Sequence, residues 1–190
     1  TPNGQTTMPF ITVPENIQAL AKDFAEKNKK FVMFCRQGGL SVLKNGDNTR
    51  QVPMEHGLLR AYPIDKSEKV VEALTKKGYT VLQVALPEEP HVKGAISLEQ
   101  EQSMMFYAEI SKYAECVITI DSCLMHATIN NCKKMIAIWA ETDPVGFGYA
   151  KAKNLLPHNY HPVAPLLAGI PDTPIIDYVE PDEIISAFDD

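Results

Sequence analysis

The sequence predicts an α/β protein: a Rossmann-like parallel sheet with helices on both faces. Three observations carry this. Apolar runs of strand length recur at 31–35, 79–85, 116–120 and 135–139. Stretches with apolar residues at helical spacing separate them, as crossover connections between parallel strands require. Each run also ends abruptly in Gly, Pro or acidic residues, which fits buried strands delivering their carboxyl ends to loops.

The elements follow in order. Pro14 sits where a first helical residue belongs, and Ile17, Leu20, Ala21, Phe24 and Ala25 then recur on one face of an amphipathic helix. The run Lys27-Asn28-Lys29-Lys30 is a solvated helix end. Phe31–Cys35 is the first strand, closed by the glycine turn Arg36-Gln37-Gly38-Gly39. From 40 to 59 the chain is polar and without period, which predicts a long loop. Asp65 is a candidate cap for a second helix, with Val70, Val71 and Leu74 inward and Lys76-Lys77-Gly78 as its stop. The strand at 79–85 ends in Pro87-Glu88-Glu89-Pro90, and 95–98 is a short third strand. A helix over 99–115 carries Met105, Ala108 and Tyr113, and Met104-Met105-Phe106 reads as helix packing. After the last strand at 135–139, where Trp139 reads as core, the chain is Pro- and Gly-rich and irregular until a terminal helix over 182–188.

The most informative stretch is 116–127. A β-branched strand stops at Asp121, small Ser122 and Cys123 follow, and a helical pattern begins that places His126 one turn after Ser122. Strand ends that meet helix N-termini are where α/β sheets offer backbone N–H groups to anionic ligands. The next strand ends in Glu141-Thr142-Asp143-Pro144, so two neighbouring strand ends carry polar groups.

The 190 residues suffice for one α/β domain with a substantial core, and 45% hydrophobic with 22% charged residues is ordinary globular composition. A formal net charge of -6 without a basic stripe argues against a nucleic-acid partner. No apolar run approaches the ~20 residues of a membrane span, and no signal peptide is visible. Cys35, Cys116, Cys123 and Cys132 form no CxxC pair, which fits a reducing, cytoplasmic setting and suits neither disulfides nor zinc. The start at Thr1 reads as a processed or trimmed end, so a longer natural polypeptide is expected.

The segment 97–149 resembles the C-terminal domain of glycosyltransferase family 9, the heptosyltransferases of lipopolysaccharide core assembly and their relatives. The resemblance rests on Ser97-Leu98-Glu99, on Asp121-Ser122-Cys123-Leu124-Met125-His126-Ala127 against the family's Asp-(Ser/Thr)-Gly-x-x-His, on Lys134 before the last strand, and on Thr142-Asp143-Pro144. It implies a GT-B half-domain over 15–190, with 1–14 as an interdomain lead-in. Its implied site for a nucleotide diphosphate sugar comprises Gln37 and Gly38 at a strand-end turn, Arg60 as the cation for the phosphates, Glu88 on the ribose and Ile96 on the base. Asp121, Ser122, Cys123 and His126 complete it, with Asp121 on sugar hydroxyls and the helix N-terminus, Ser122 and His126 on the diphosphate. No metal or other cofactor is implied, and the acceptor is a glycan, a lipid-linked sugar or a protein. The catalytic base of the family belongs to an N-terminal acceptor domain, here a missing domain or a partner chain. Cys123 departs from the family by standing in place of a glycine.

Plainer readings stand beside these. Asp121-Ser122 also reads as an N-cap, with Asp121 the capping group. His126 also reads as a half-buried histidine satisfied by backbone, Arg60 as a solvated loop charge, and Glu88-Glu89 as a polar turn. His91, His158 and His161 read as surface residues, and Cys123 as a tolerated small residue at a helix start. The leading expectation is the donor half of an inverting glycosyltransferase. The alternative is a non-catalytic binding or scaffold module of the same fold, and a sugar-nucleotide epimerase comes third for want of carboxylates.

Overall fold

The computed structural model describes residues 9–37, 61–85, 89–98, 103–140, 142–160 and 177–190, together with the backbone of 43–45 and 48–50. In chain order the elements are α1 (Glu15–Lys27), β1 (Phe31–Cys35), β2 (Leu43–Asn45), β3 (Asn48–Arg50), α2 (Ile64–Lys76), β4 (Thr80–Gln83), β5 (Ile96–Ser97) and α3 (Met104–Ile110). β6 (Cys116–Ile120), α4 (Cys123–Thr128), β7 (Met135–Ile138), α5 (Pro144–Phe147), β8 (Lys153–Leu155) and α6 (Pro181–Asp189) follow.

Six strands form one sheet in the order β5-β4-β1-β6-β7-β8, every pair parallel. The strand that comes first in the chain lies inside the sheet, and the chain winds outward from it in both directions. The order therefore reverses between β1 and β6, where Val32 faces Cys116 and Cys35 faces Thr119. In such sheets the loops leaving the two strands diverge at this point and open a crevice above their carboxyl ends.

Alternation along each strand builds a core on either side of the sheet. Phe31, Met33 and Cys35 of β1 join Val117, Met135, Ala137 and Trp139 under α1, α3 and α4. Val32 and Phe34 join Cys116, Ile118, Ile120, Ile136 and Ile138 under α2 and α6. Phe24 of α1 packs edge-on against Phe106 of α3 with ring centroids 5.8 Å apart. On the other face Tyr79 meets Phe188 at 5.0 Å, and Lys77 pairs with Asp189 at 2.9 Å. Val70, Val71 and Leu74 seat α2 with no exposed surface, each worth about 1.5–3 kcal/mol of burial.

Several local expectations shift. Pro14 precedes α1 and is not its first helical residue; Pro63 stands in the same place before α2, and neither helix has a side-chain cap. Asp65 lies inside the first turn of α2 instead of capping it, while Ser67 Oγ donates to the Pro63 carbonyl at 2.8 Å. α3 starts only at Met104, because Ser103 takes the cap position and its hydroxyl accepts from the Phe106 amide at 3.4 Å. Met104, Met105 and Tyr113 are exposed, so of the Met-Met-Phe run only Phe106 packs inward. The stretch read as a loop holds the antiparallel strand pair β2–β3, with Leu43 opposite Arg50 and Asn45 opposite Asn48. The stretch read as irregular holds α5, whose cap Asp143 accepts from the Val145 amide at 2.9 Å, and the edge strand β8. Among the described residues, no helix is long and apolar enough to cross a membrane.

Candidate functional site at the β1–β6 switch point

The carboxyl end of β1 is held by Arg36. Its Nε donates to the Tyr62 carbonyl at 2.9 Å and its Nη1 to Gln37 Oε1 at 2.8 Å, while the Tyr62 amide donates to the Arg36 carbonyl at 2.7 Å. Gln37 also bridges to Ala61, so the chain that enters α2 is tied across the top of β1. Burial pulls the Arg36 guanidinium pKa down, and the Glu89 carboxylate opposes that. Arg36 was not singled out in the sequence, though a cation directly after the first strand of such a sheet stands at the switch point by position.

Beneath this lies a buried polar cluster. Thr119 Oγ1 donates to the Ile120 carbonyl at 2.9 Å and lies 3.1 Å from Ser122 Oγ. Cys35 Sγ donates to the Gln37 carbonyl at 3.2 Å and sits 3.9 Å from the same Ser122 hydroxyl. Burial, followed by the Glu89 charge, pushes the Cys35 thiol up to about 11, so it stays a protonated, unreactive thiol at neutral pH.

Ser122, not Asp121, is the residue that precedes α4, and its side chain makes no capping bond. Its backbone is extended (φ -151°, ψ 168°), and its hydroxyl turns inward onto Thr119 with the residue only 5% exposed. The hydroxyl expected to reach a ligand is therefore committed to the core. The helix itself spans six residues, and its first N–H groups have no intrahelical acceptors. Thr128 Oγ1 bonds the Leu124 carbonyl at 2.8 Å, and Lys151 Nζ gathers the carbonyls of Ile129 and Cys132, each at 2.9 Å, closing the far end.

The accessible chemistry stands on the Asp121–His126 side. His126 Nε2 is 3.8 Å from Asp121 Oδ1, and the His126 side chain is 40% exposed against 12% for Asp121. The other ring nitrogen, Nδ1, is 2.6 Å from the hydroxyl of buried Tyr149. Cys123 is exposed at the first turn of α4. Asp121 also lines a cleft over the carboxyl ends of β6 and β7, enclosing about 300 Å³ including open solvent, with Tyr62, Ile138, Trp139, Thr142 and Tyr178 around it. Trp139 is fully buried as expected of core, its Nε1 donates to Asn154 Oδ1 at 2.8 Å, and it is among the residues that line the cleft.

The structure thus gathers Gln37, Asp121, Ser122, Cys123 and His126 around the switch point. Ile96 does not join them. It lies 54% exposed on the edge strand β5, and the register through Leu82 and Met33 sets it level with Val117, short of the carboxyl ends. Gly38, Arg60 and Glu88 lie outside the described residues, as does His161. His91 and His158 are exposed; His91 Nδ1 lies 3.1 Å from Ser97 Oγ. Tyr149 and Tyr178 carried no signal in the sequence, since both fall in a Pro- and Gly-rich stretch without periodicity.

No protein-family model matches the chain, and no curated protein matches it. Solved structures do. A glycosyl transferase family 9 protein from Veillonella parvula superposes with a TM-score of 0.56 at 17% identity, over 76% of this chain and 41% of its own. The E. coli ADP-heptose lps heptosyltransferase II superposes with a TM-score of 0.62 at 13% identity, over 97% of this chain and 54% of its own. This chain spans about half the length of those two proteins. The Rossmann-like sheet with helices on both faces is the fold these glycosyltransferase structures share with it, and at such identities the likeness is one of fold.

Proposed function

We propose that this chain is the donor-binding half of a GT-B glycosyltransferase, holding a nucleotide diphosphate sugar over the crevice between β1 and β6. The observation that carries the reading is the Asp121–His126 pair at the carboxyl end of β6, beside the strand-order reversal and in a fold shared with heptosyltransferases. In this reading the diphosphate lies over the residues that open α4 and accepts a hydrogen bond from His126. As the bond between the anomeric carbon and the phosphate oxygen breaks, negative charge grows on the leaving diphosphate. Positioned N–H donors stabilise that charge, and such groups are worth most where water is excluded. Asp121 cannot serve the phosphates, because like charges repel; it serves as acceptor for hydroxyls of the sugar. Deprotonation of the acceptor falls to a base from an acceptor domain, in the same polypeptide or in a partner chain.

Calorimetric titration with ADP, GDP and UDP, and with their sugar conjugates, tests this. Saturable binding to one of the three that is weakened by His126→Ala supports the reading. Absence of saturable binding to all of them defeats it.

Two observations favour a second reading, a binding or scaffold module that keeps the fold without transfer. The Ser122 hydroxyl is spent inside the protein, and Cys123 presents a side chain at the start of α4 where the likeness of sequence implies a glycine. Specific binding of a nucleotide without turnover of its sugar conjugate, with the acceptor domain supplied, would select it.

A further inference from the structure

We infer that Tyr149 is a positioning residue that holds neutral His126 in the tautomer carrying its proton on Nε2, so that the exposed edge of the ring is a hydrogen-bond donor. The inference rests on the donor reading for its purpose, although its geometry does not depend on it.

The argument starts from what each ring nitrogen faces. Nδ1 meets the Tyr149 hydroxyl at 2.6 Å, and Nε2 faces Asp121 Oδ1 at 3.8 Å. A phenol can donate or accept, whereas a carboxylate only accepts. A proton on Nε2 therefore points its positive end toward the Asp121 carboxylate, 3.8 Å away, and leaves Nδ1 as a bare acceptor for the phenolic proton. The opposite tautomer points a lone pair at the carboxylate. It also strands the Tyr149 proton, since among the described residues that hydroxyl meets no other acceptor. Burial, and then the Asp121 charge, raise the phenol pKa, which keeps Tyr149 protonated and able to donate.

Tyr149 is itself fixed. It is 4% exposed within the core under α4, and its ring stands edge-on to the imidazole, 5.6 Å between centroids at 74°. Its carbonyl accepts from Asn154 Nδ2 at 3.3 Å, and the Asn154 amide oxygen in turn receives Trp139 Nε1. The donor of the chain Tyr149–His126–Asp121 is thus anchored in the core, and its far end opens at the crevice. An anionic oxygen arriving there meets an N–H that is already directed, with no tautomer shift to make.

The test is the long-range ¹H–¹⁵N spectrum of the histidine-labelled chain at a pH where imidazoles are neutral, with His126 assigned by its loss in His126→Gln. The expected wild-type pattern is that of an Nε2–H imidazole. Tyr149→Phe keeps the ring and removes the hydroxyl; it should shift His126 toward a mixture of tautomers and weaken binding of the tightest of ADP, GDP and UDP about fivefold. An Nδ1–H pattern in the wild type overturns the inference, and so does a tautomer unchanged in Tyr149→Phe. The wild-type spectrum decides even if the variant folds poorly. Because it needs no ligand, failure of all three nucleotides to bind overturns the donor reading separately.

Discussion

The hydroxyls of Thr119 and Ser122 lie 3.1 Å apart beneath the switch point, and the direction of the proton between them decides what Ser122 can offer a ligand. Thr119 already donates to the Ile120 carbonyl, so the shared proton comes from Ser122. A serine whose proton is committed inward has only lone pairs left, and lone pairs repel a phosphate. Ser122→Ala is therefore expected to change nucleoside diphosphate affinity by less than about threefold, while the lost hydrogen bond costs about 1 kcal/mol of stability. His126→Ala, by contrast, removes an exposed donor and should weaken binding about tenfold, or about 1.4 kcal/mol. Calorimetry on the two variants checks both; loss of binding in Ser122→Ala would mean that the hydroxyl turns outward when ligand arrives.

Gln83 behaves as a piece of backbone. Fully buried at the end of β4, its Nε2 donates to the Pro90 carbonyl at 3.0 Å and its Oε1 accepts from the Val92 amide at 2.8 Å. It thereby holds the chain that leads into β5. Gln83→Leu, similar in volume, strips both partners; the buried Val92 amide is left unsatisfied at about 1–3 kcal/mol, while the carbonyl of exposed Pro90 can turn to water. Urea denaturation should show the loss, and hydrogen exchange of the Val92 amide should accelerate by more than the global change requires.

These cases show where the sequence was legible. β1, β4, β6 and β7 read directly, because burial on both sheet faces demands continuous apolar runs, and Phe31–Cys35 or Cys116–Ile120 have no competing period. The parallel, doubly covered sheet follows from their alternation with helices. The strand end that turns into a helix between Asp121 and His126 was legible too. Orientation was not: nothing in Asp-Ser-Cys says that the serine hydroxyl faces Thr119, a contact that depends on the ψ of Ser122 and on Thr119 pointing to the same face. β8 and α5 were missed because three- and four-residue elements have no periodicity to read. Tyr149 was missed for a related reason, as its partner is 23 residues away and only tertiary packing joins them.

Two buried thiols make stability fall in alkali. Burial first and foremost raises Cys35 from 9.0 to about 11 and Cys116 from 9.0 to about 12. Between pH 9 and 11 the folded chain keeps thiol protons that the unfolded chain has released. The native state then binds more protons, so unfolding becomes easier as pH rises; below pH 9 both states are protonated and these groups contribute no slope. Each thiol adds a decline of up to about 1.4 kcal/mol per pH unit. Urea midpoints measured from pH 8 to 10 should fall accordingly, and Cys116→Ala, though less stable throughout, should show a shallower decline. An identical slope in the variant would assign the loss to other groups.

Gly148 ends α5 and directly precedes Tyr149, the partner of His126. Its φ of -85° is open to any residue, so the requirement is space: an added Cβ would lie 2.5 Å from the Pro144 carbonyl oxygen and 3.0 Å from Trp139 Cζ2. The first contact is with backbone, and the second is with a fully buried ring held by Asn154, so neither can yield without moving the turn at α5. Gly148→Ala is expected to cost about 1–3 kcal/mol, the range for overpacking a tight site. The displacement should pass to the next residue, lengthening the 2.6 Å Tyr149–His126 contact. Thermal denaturation measures the first effect, and the His126 ring ¹⁵N shifts measure the second. A destabilised variant with unmoved His126 shifts would show that the strain is absorbed within α5 and does not reach the site.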